Sequence, residues 1–124
     1  MRAFKEAEDT LHFTLRFAGG VLASCTTSYS YAEVKRGRAF GDKARLDLAP
    51  LSDYKEHTMK IGDKEGKREP KIQEGNQFAA PPDHMAECVR DNKTPKTPGE
   101  EGLRDVRSIM AIYEAAKKGK AVKV

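Results

Sequence analysis

The stretch TLHFTLRF-AGG-VLASCTTSYSY, residues 10–31, constrains the fold of this chain more than any other. Its first eight residues alternate strictly, with Leu11, Phe13, Leu15 and Phe17 on one side and Thr10, His12, Thr14 and Arg16 on the other. A period of two belongs to an extended strand with one buried face; a helix would scatter these residues around its axis. AGG then suits a three-residue hairpin loop with Gly20 in the left-handed region, which glycine enters without steric penalty. That loop pairs Phe17 with Val21, Leu15 with Ala23 and Phe13 with Cys25, so the apolar sides of the two strands coincide. A two-residue Gly-Gly loop would set Leu15 against Ser24. Because a slip of one residue turns every side chain to the other face, that register is rejected.

The opposite face of the hairpin is polar and carries little charge. Thr14 lies beside Ser24, His12 beside Thr26 and Thr10 beside Ser28, with Arg16 next to them. Such a face can be solvated, or it can be a flat surface that another sheet approaches. The second reading makes Thr10, His12, Thr14, Arg16, Ser24, Thr26 and Ser28 a candidate interface. It also makes a homodimer through this open face the expected assembly, since two-fold pairs are the commonest closed arrangement.

Downstream, short strand patterns at residues 33–40, 44–48, 54–61 and 67–72 are separated by turns at GDK and GDKEGK. Successive strands with short turns predict an antiparallel meander. The pattern then becomes helical. Pro81 and Pro82 belong at a helix start, Met85, Cys88 and Val89 form an apolar stripe, and Asn92 suits the C-terminal end. A second helix is announced by Thr97, Pro98 and Glu100, which read as a capping box with proline in the first helical position. Its residues Leu103, Val106, Ile109, Met110, Ile112, Tyr113 and Ala116 cover an arc of roughly 180°, where about 100° suffices for a helix lying on one sheet. Asp105 and Lys117 interrupt the arc. The excess is covered either by the helix at 82–91 or by something beyond this fold. Gly119 ends the helix, and AVKV at 121–124 is expected to form a last short strand. The fold class is α+β: a mostly antiparallel sheet of about six strands, two C-terminal helices on one face and the other face open. Residues 1–124 are expected to form a single domain.

Composition narrows the function classes. Hydrophobic residues make up 38% and charged residues 34%, the balance of a water-soluble globular chain. No run approaches the roughly 18 apolar residues of a membrane span. The opening MRAFKEAEDT has no apolar core of the kind a secretory signal carries, so no membrane partner is expected. Cys25 and Cys88 have no metal or redox spacing, and two free thiols in the cytoplasm are the expectation. The net charge of +4 permits a polyanionic partner. The basic residues are nevertheless spread along the chain and lack interleaved aromatics, which argues against nucleic acid.

The chemistry-bearing residues do not assemble a site. There is no GxGxxG and no GxxxxGK, and RFAGGVL sits between two strands, so it is a turn and not a phosphate cradle. His12, His57 and His84 lie far apart. DHMAE places His84 one turn from Glu87 and Cys88, but a Cys–His nucleophile also needs an oxyanion donor and a third group to orient it. A buried thiol on a polar helix is the simpler reading. No spacing suits zinc or calcium. Catalytic, cofactor-binding and metal-binding residues are therefore expected to be absent from this chain.

Three stretches carry a resemblance: EDTLHFTLRFAGGVLASCTTSYS, the turn GDKARLDL, and NQF…DHMAECVRDNKTPKTPGEEGLRDVRSIMAIYEAAKKGKAVKV. Together they resemble the C-terminal domain of glucose-fructose oxidoreductase-like proteins of the Gfo/Idh/MocA family. The most specific part is PGEEGLRDVRSIMAIYEAAKKGKAV. The resemblance implies an NAD(P)-dependent sugar or polyol oxidoreductase whose N-terminal Rossmann domain is absent from these residues. It also implies that this domain completes the substrate site and mediates oligomerisation through its open sheet face. The family's Glu-Lys-Pro motif has no counterpart here, so no catalytic residue is carried over, and the chain alone is expected to be inactive. AAPP falls where the family's helix normally runs, so the helix here must begin later or bend. A different class, a stand-alone binding module built on this sheet and taking a polyanion or a sugar phosphate, is the alternative that the basic charge motivates.

Overall fold

The structure is a computed structural model and describes residues 6–124. The first five residues, part of the segment read above as lacking a secretory core, lie outside the described residues. The chain runs β1 (Thr10–Arg16), β2 (Leu22–Ser28), β3 (Gly37–Phe40), β4 (Ala44–Ala49), β5 (Thr58–Asp63), β6 (Gly66–Arg68), α1 (Ala80–Asp91) and α2 (Gly99–Lys118). The class is α+β as expected. The six strands are divided between a two-stranded sheet, β1-β2, and a four-stranded sheet in the order β3-β4-β5-β6. Two compact units result. One contains Ser28–Ala80 with the segment ending at Asp9, and the other contains Thr10–Thr27 with Pro81–Val124.

The hairpin of the second unit has the expected register. The Phe17 N–H donates to Val21 O at 2.9 Å, and the Tyr29 N–H donates to Asp9 O at 2.8 Å. These two pairs define one ladder, with His12 opposite Thr26. Gly20 adopts φ 84 and donates to Phe17 O at 2.9 Å, which is the left-handed loop position that the sequence required. Leu11, Phe13, Leu15, Ala23 and Cys25 are half-buried, while His12, Thr14, Arg16, Ser24 and Thr26 are exposed.

Helix α1 begins one residue before Pro81. The turn leading into it is organised by Asn76, whose Oδ1 accepts the N–H groups of Phe78 (3.0 Å) and Ala79 (3.2 Å). The Asn76 carbonyl accepts the Ala80 N–H at 3.0 Å. Pro81 and Pro82 occupy the first turn, where missing N–H groups matter least. The helix starts inside AAPP, at Ala80. It ends in a left-handed Asn92 with φ 49. Lys93 donates to Cys88 O at 2.9 Å and Asn92 to Val89 O at 3.5 Å, the bond pair of a Schellman cap.

Helix α2 does not start with the expected capping box. Pro98, not Thr97, is the N-cap, with φ −73, ψ 168 and no side-chain cap bond. Proline in the polyproline basin cannot be the first helical residue. The leading N–H groups of Glu101 (3.0 Å) and Gly102 (3.4 Å) therefore turn to the Pro98 carbonyl. Glu100 and Glu101 still complement the helix dipole in the first turn, and Gly119 with φ 62 closes the helix as expected. Residues 121–124 are irregular and form no last strand.

In the first unit, β4 is the spine of the four-stranded sheet. Its register sets Asp47 opposite Arg38 and Lys60, and Arg45 opposite Phe40 and Gly62. Gly62 in turn faces Lys67. Leu46, Leu48, Met59 and Ile61 share the half-buried face. Three strands are shorter than expected. Residues 33–36 precede β3 without pairing in the sheet. Residues 54–57 belong to a loop because the His57 ring is clasped by that loop's own carbonyls. Pro70, with no N–H to give the ladder, stops β6. Among the described residues Cys88 alone is fully buried, at 4% exposure.

Candidate functional site

The candidate interface residues fall on one face. His12, Thr14, Arg16, Ser24 and Thr26 are exposed together, with Thr10 and Ser28 half-buried at the far end of the ladder. His12 Nδ1 lies 2.8 Å from Thr26 Oγ1, a cross-strand hydrogen bond. Ser28 Oγ accepts the Ser30 N–H at 3.0 Å. The face carries no carboxylate and no thiol; it offers hydroxyls, the His12 ring and the Arg16 guanidinium as hydrogen-bonding groups.

A second feature lies wholly in the first unit. A cavity of about 240 Å³ is lined by Tyr54, His57, Ile72, Ala80 and the segment from Gln73 to Gln77. Tyr54 and Phe78 stack at its rim with ring centroids 5.3 Å apart. The His57 ring bridges the carbonyls of Pro50 (3.1 Å to Nδ1) and Asp53 (2.9 Å to Nε2). The ring is thus a clasp for the loop and leaves no lone pair directed at a substrate. Glu74 Oε1 accepts the N–H of Glu56 (3.0 Å), which holds that residue at φ 63, an uncommon conformation for a side-chain-bearing residue. Asp53 accepts from Lys35 Nζ at 3.0 Å and from the Tyr54 N–H at 2.8 Å. The Lys35 hydrogen bond, then the Tyr54 N–H, hold its carboxyl below the ordinary 3.8. Nothing in the linear sequence marks these residues as neighbours, because Tyr54 and Phe78 meet only after the strands between them have paired.

A third feature is the charged face of the four-stranded sheet. Both oxygens of Asp47 are engaged, one by Arg36 Nε at 2.8 Å and one by Arg38 Nε at 3.0 Å. The Arg36 bond is the main cause of its depressed pKa, with Arg38 adding to it. Lys60 and Glu69 approach at 3.8 Å.

The thiol of Cys88 sits 3.5 Å from His84 Nε2. That nitrogen already accepts the Lys96 N–H at 3.1 Å, which uses its single lone pair. His84 therefore cannot serve the thiol as a base through that nitrogen, and its evident role is to tie α1 to the segment at Lys96. Both cysteines are free. Among the described residues no group of three potential ligands could hold a metal ion, and no helix is long and apolar enough to cross a membrane.

A nicotinamide dinucleotide does not fit the helix starts present here. Its pyrophosphate needs open N–H groups and no competing anion at a helix N-terminus. The first turn of α2 carries Glu100 and Glu101. At α1, two prolines and the Asn76 side chain leave few free donors.

Among the described residues, six antiparallel strands in two sheets followed by two helices define an α+β domain. All of residues 1–124 match the family described as "Oxidoreductase family, C-terminal alpha/beta domain", and the chain belongs to this Gfo/Idh/MocA family. Among solved structures it is similar to aldose-aldose oxidoreductase from Caulobacter crescentus, described in complex with glycerol. The match has a TM-score of 0.89 at 35% identity and covers 96% of this chain. The chain spans 36% of that protein's length.

Proposed function

We propose that this chain is the substrate-site and oligomerisation domain of an NAD(P)-dependent sugar or polyol oxidoreductase, in which a Rossmann domain outside these residues holds the nicotinamide. The match over the whole of residues 1–124 to an oxidoreductase C-terminal domain carries this reading. The likeness to an aldose-aldose oxidoreductase supports the sugar class. On this reading the residues of the hairpin face bind and position. The polar hairpin face supplies the contact between two copies, and the assembly works in the cytoplasm.

The test has two arms. The purified chain is assayed with NAD⁺ and NADP⁺ against a panel of aldoses and polyols, and no reduced nicotinamide is expected. The chain is then substituted for the corresponding domain of the Caulobacter enzyme, where aldose-dependent turnover is expected. Turnover by the chain alone, or a folded chimera with no turnover on any aldose, overturns the proposal.

A further inference from the structure

The charged face of β3–β6 contains a row of three residues that the proposed function does not use. Arg45, Gly62 and Lys67 stand side by side across β4, β5 and β6. Gly62 has no side chain, and Arg45 fills the space. A methyl group added at Gly62 would meet Arg45 Nε at 3.1 Å and its Cγ at 3.4 Å. The absent side chain thus lets the guanidinium lie against the sheet. The row opens on a cleft of about 370 Å³ that Asp47, Lys60, Ile61, Arg68 and Glu69 also line.

The charges around this cleft do not cancel. Asp47 is fully engaged by Arg36 and Arg38, and Arg68 is held by Asp63 at 3.0 Å. Glu69 offsets Lys60 across 3.8 Å. Arg45 and Lys67 have no ion-pair partner among the described residues, which leaves two positive charges flanking a glycine. A planar fork beside an ammonium group suits a doubly charged tetrahedral oxyanion, for which Arg supplies two parallel N–H bonds and Lys a point charge.

We propose that the Arg45–Gly62–Lys67 row is a seat for a phosphate group. This inference stands apart from the oxidoreductase reading and can fail without it. The test is a ¹⁵N–¹H NMR titration of the full chain at low ionic strength, once with inorganic phosphate and once with glycerol 3-phosphate. Saturable shifts are expected at the amides of residues 45, 60, 62 and 67, weakening as salt rises because the contacts are screened. The order of the two affinities assigns the source: tighter binding of the ester points to a phosphorylated small molecule, and tighter binding of inorganic phosphate to the free ion.

Arg45→Met and Lys67→Met should each weaken binding about tenfold, as loss of a charge-assisted hydrogen bond does. Lys120→Met, the same change of charge outside the cleft, should leave it unchanged. Gly62→Ala keeps every charge but displaces the guanidinium, and should also weaken binding severalfold. If Gly62→Ala does not fold, Arg45→Lys carries the same test, since it keeps the charge and removes the fork. Shifts spread evenly over all basic residues, equal shifts with chloride, or unaltered affinity in both Gly62→Ala and Arg45→Lys overturn the proposal. So does a loss of the shifts as protein concentration rises, which would mean that a second copy covers this face.

Discussion

Removing the Asn76 side chain tests how α1 is held at its start. Asn76 Oδ1 accepts from Phe78 N at 3.0 Å and from Ala79 N at 3.2 Å. Ala79 N also has the Asn76 carbonyl at 3.2 Å, so Asn76→Ala leaves only the Phe78 N–H without a protein partner. One lost cap of this kind costs about 1 kcal/mol. The site has little redundancy. In a helix, the carbonyls of Gln77 and Phe78 would accept from residues 81 and 82, which are prolines and have no N–H to give. With a urea dependence of about 2 kcal/mol per molar for a domain of this size, the unfolding midpoint should fall by about 0.5 M. Asn76→Asp should match the parent, since a carboxylate caps equally well and complements the dipole. Asn76→Gly should lie between Asp and Ala, because glycine lets water reach the freed N–H. A midpoint for Asn76→Ala equal to the parent's, or a glycine variant less stable than the alanine variant, would refute the assignment of this side chain as the cap.

Three further outcomes follow from the geometry. Gly20→Ala should cost about 1 kcal/mol by urea denaturation, because φ 84 is unfavourable for a side-chain-bearing residue. Gly19→Ala should be close to neutral, since neither site has an atom within 4 Å of an added Cβ and only Gly20 needs positive φ. Asp47, Asp53 and Asp91 are held below their ordinary 3.8 by Arg36, Lys35 and Arg90 respectively. Their contribution is therefore complete above pH 3.8 and lost as pH falls through the lower folded-state values. Asp47→Asn should be less stable at pH 7 and should lose less between pH 5 and pH 2, read from urea midpoints. On the proposed dimer, Thr14→Glu with Ser24→Glu should give a monomer by light scattering while the circular dichroism spectrum is retained, since a like-charged cross-strand pair costs under about 1 kcal/mol; a dimer that survives the double change removes the hairpin face as the interface.

The parts of this fold that are legible in the sequence are those fixed by local sterics and strict periodicity. The β1–β2 register follows from alternation plus one glycine that can adopt positive φ, and the structure reproduces it at Phe17–Val21 and at Asp9–Tyr29. The ends of α1 and α2 at Asn92 and Gly119 are legible for the same reason. The start of α2 is not, because Pro98 can occupy either the helical or the polyproline basin, and residue type does not choose between them. The end of β6 is written in Pro70, which also sits inside the stretch that alternation alone extends to residue 72. The charged row could not be read at all before two registers were known. Arg45, Gly62 and Lys67 become neighbours only through the β4–β5 and β5–β6 pairings. The Tyr54–His57 cavity is illegible for a similar reason, since its far wall comes from residues about twenty positions away.

Of the wide apolar arc of α2, only Ile112, at its edge, is half-buried. Ser108, Ala111, Ile112 and Ala115 are half-buried, and they make a stripe of the width that a single contact needs. Leu103, Val106, Ile109, Met110 and Tyr113 remain between 45% and 61% exposed. Among the described residues of the second unit, α1 included, nothing covers them. Full burial of side chains of this size stabilises by about 1.5–3 kcal/mol each, so five at half exposure leave about 5 kcal/mol unrealised. That equals the lower limit of the whole net stability of an ordinary domain. Contiguous apolar surface of this kind belongs to an interface. Since the chain spans 36% of the aldose-aldose oxidoreductase it matches, the covering surface on the proposed reading is the Rossmann domain.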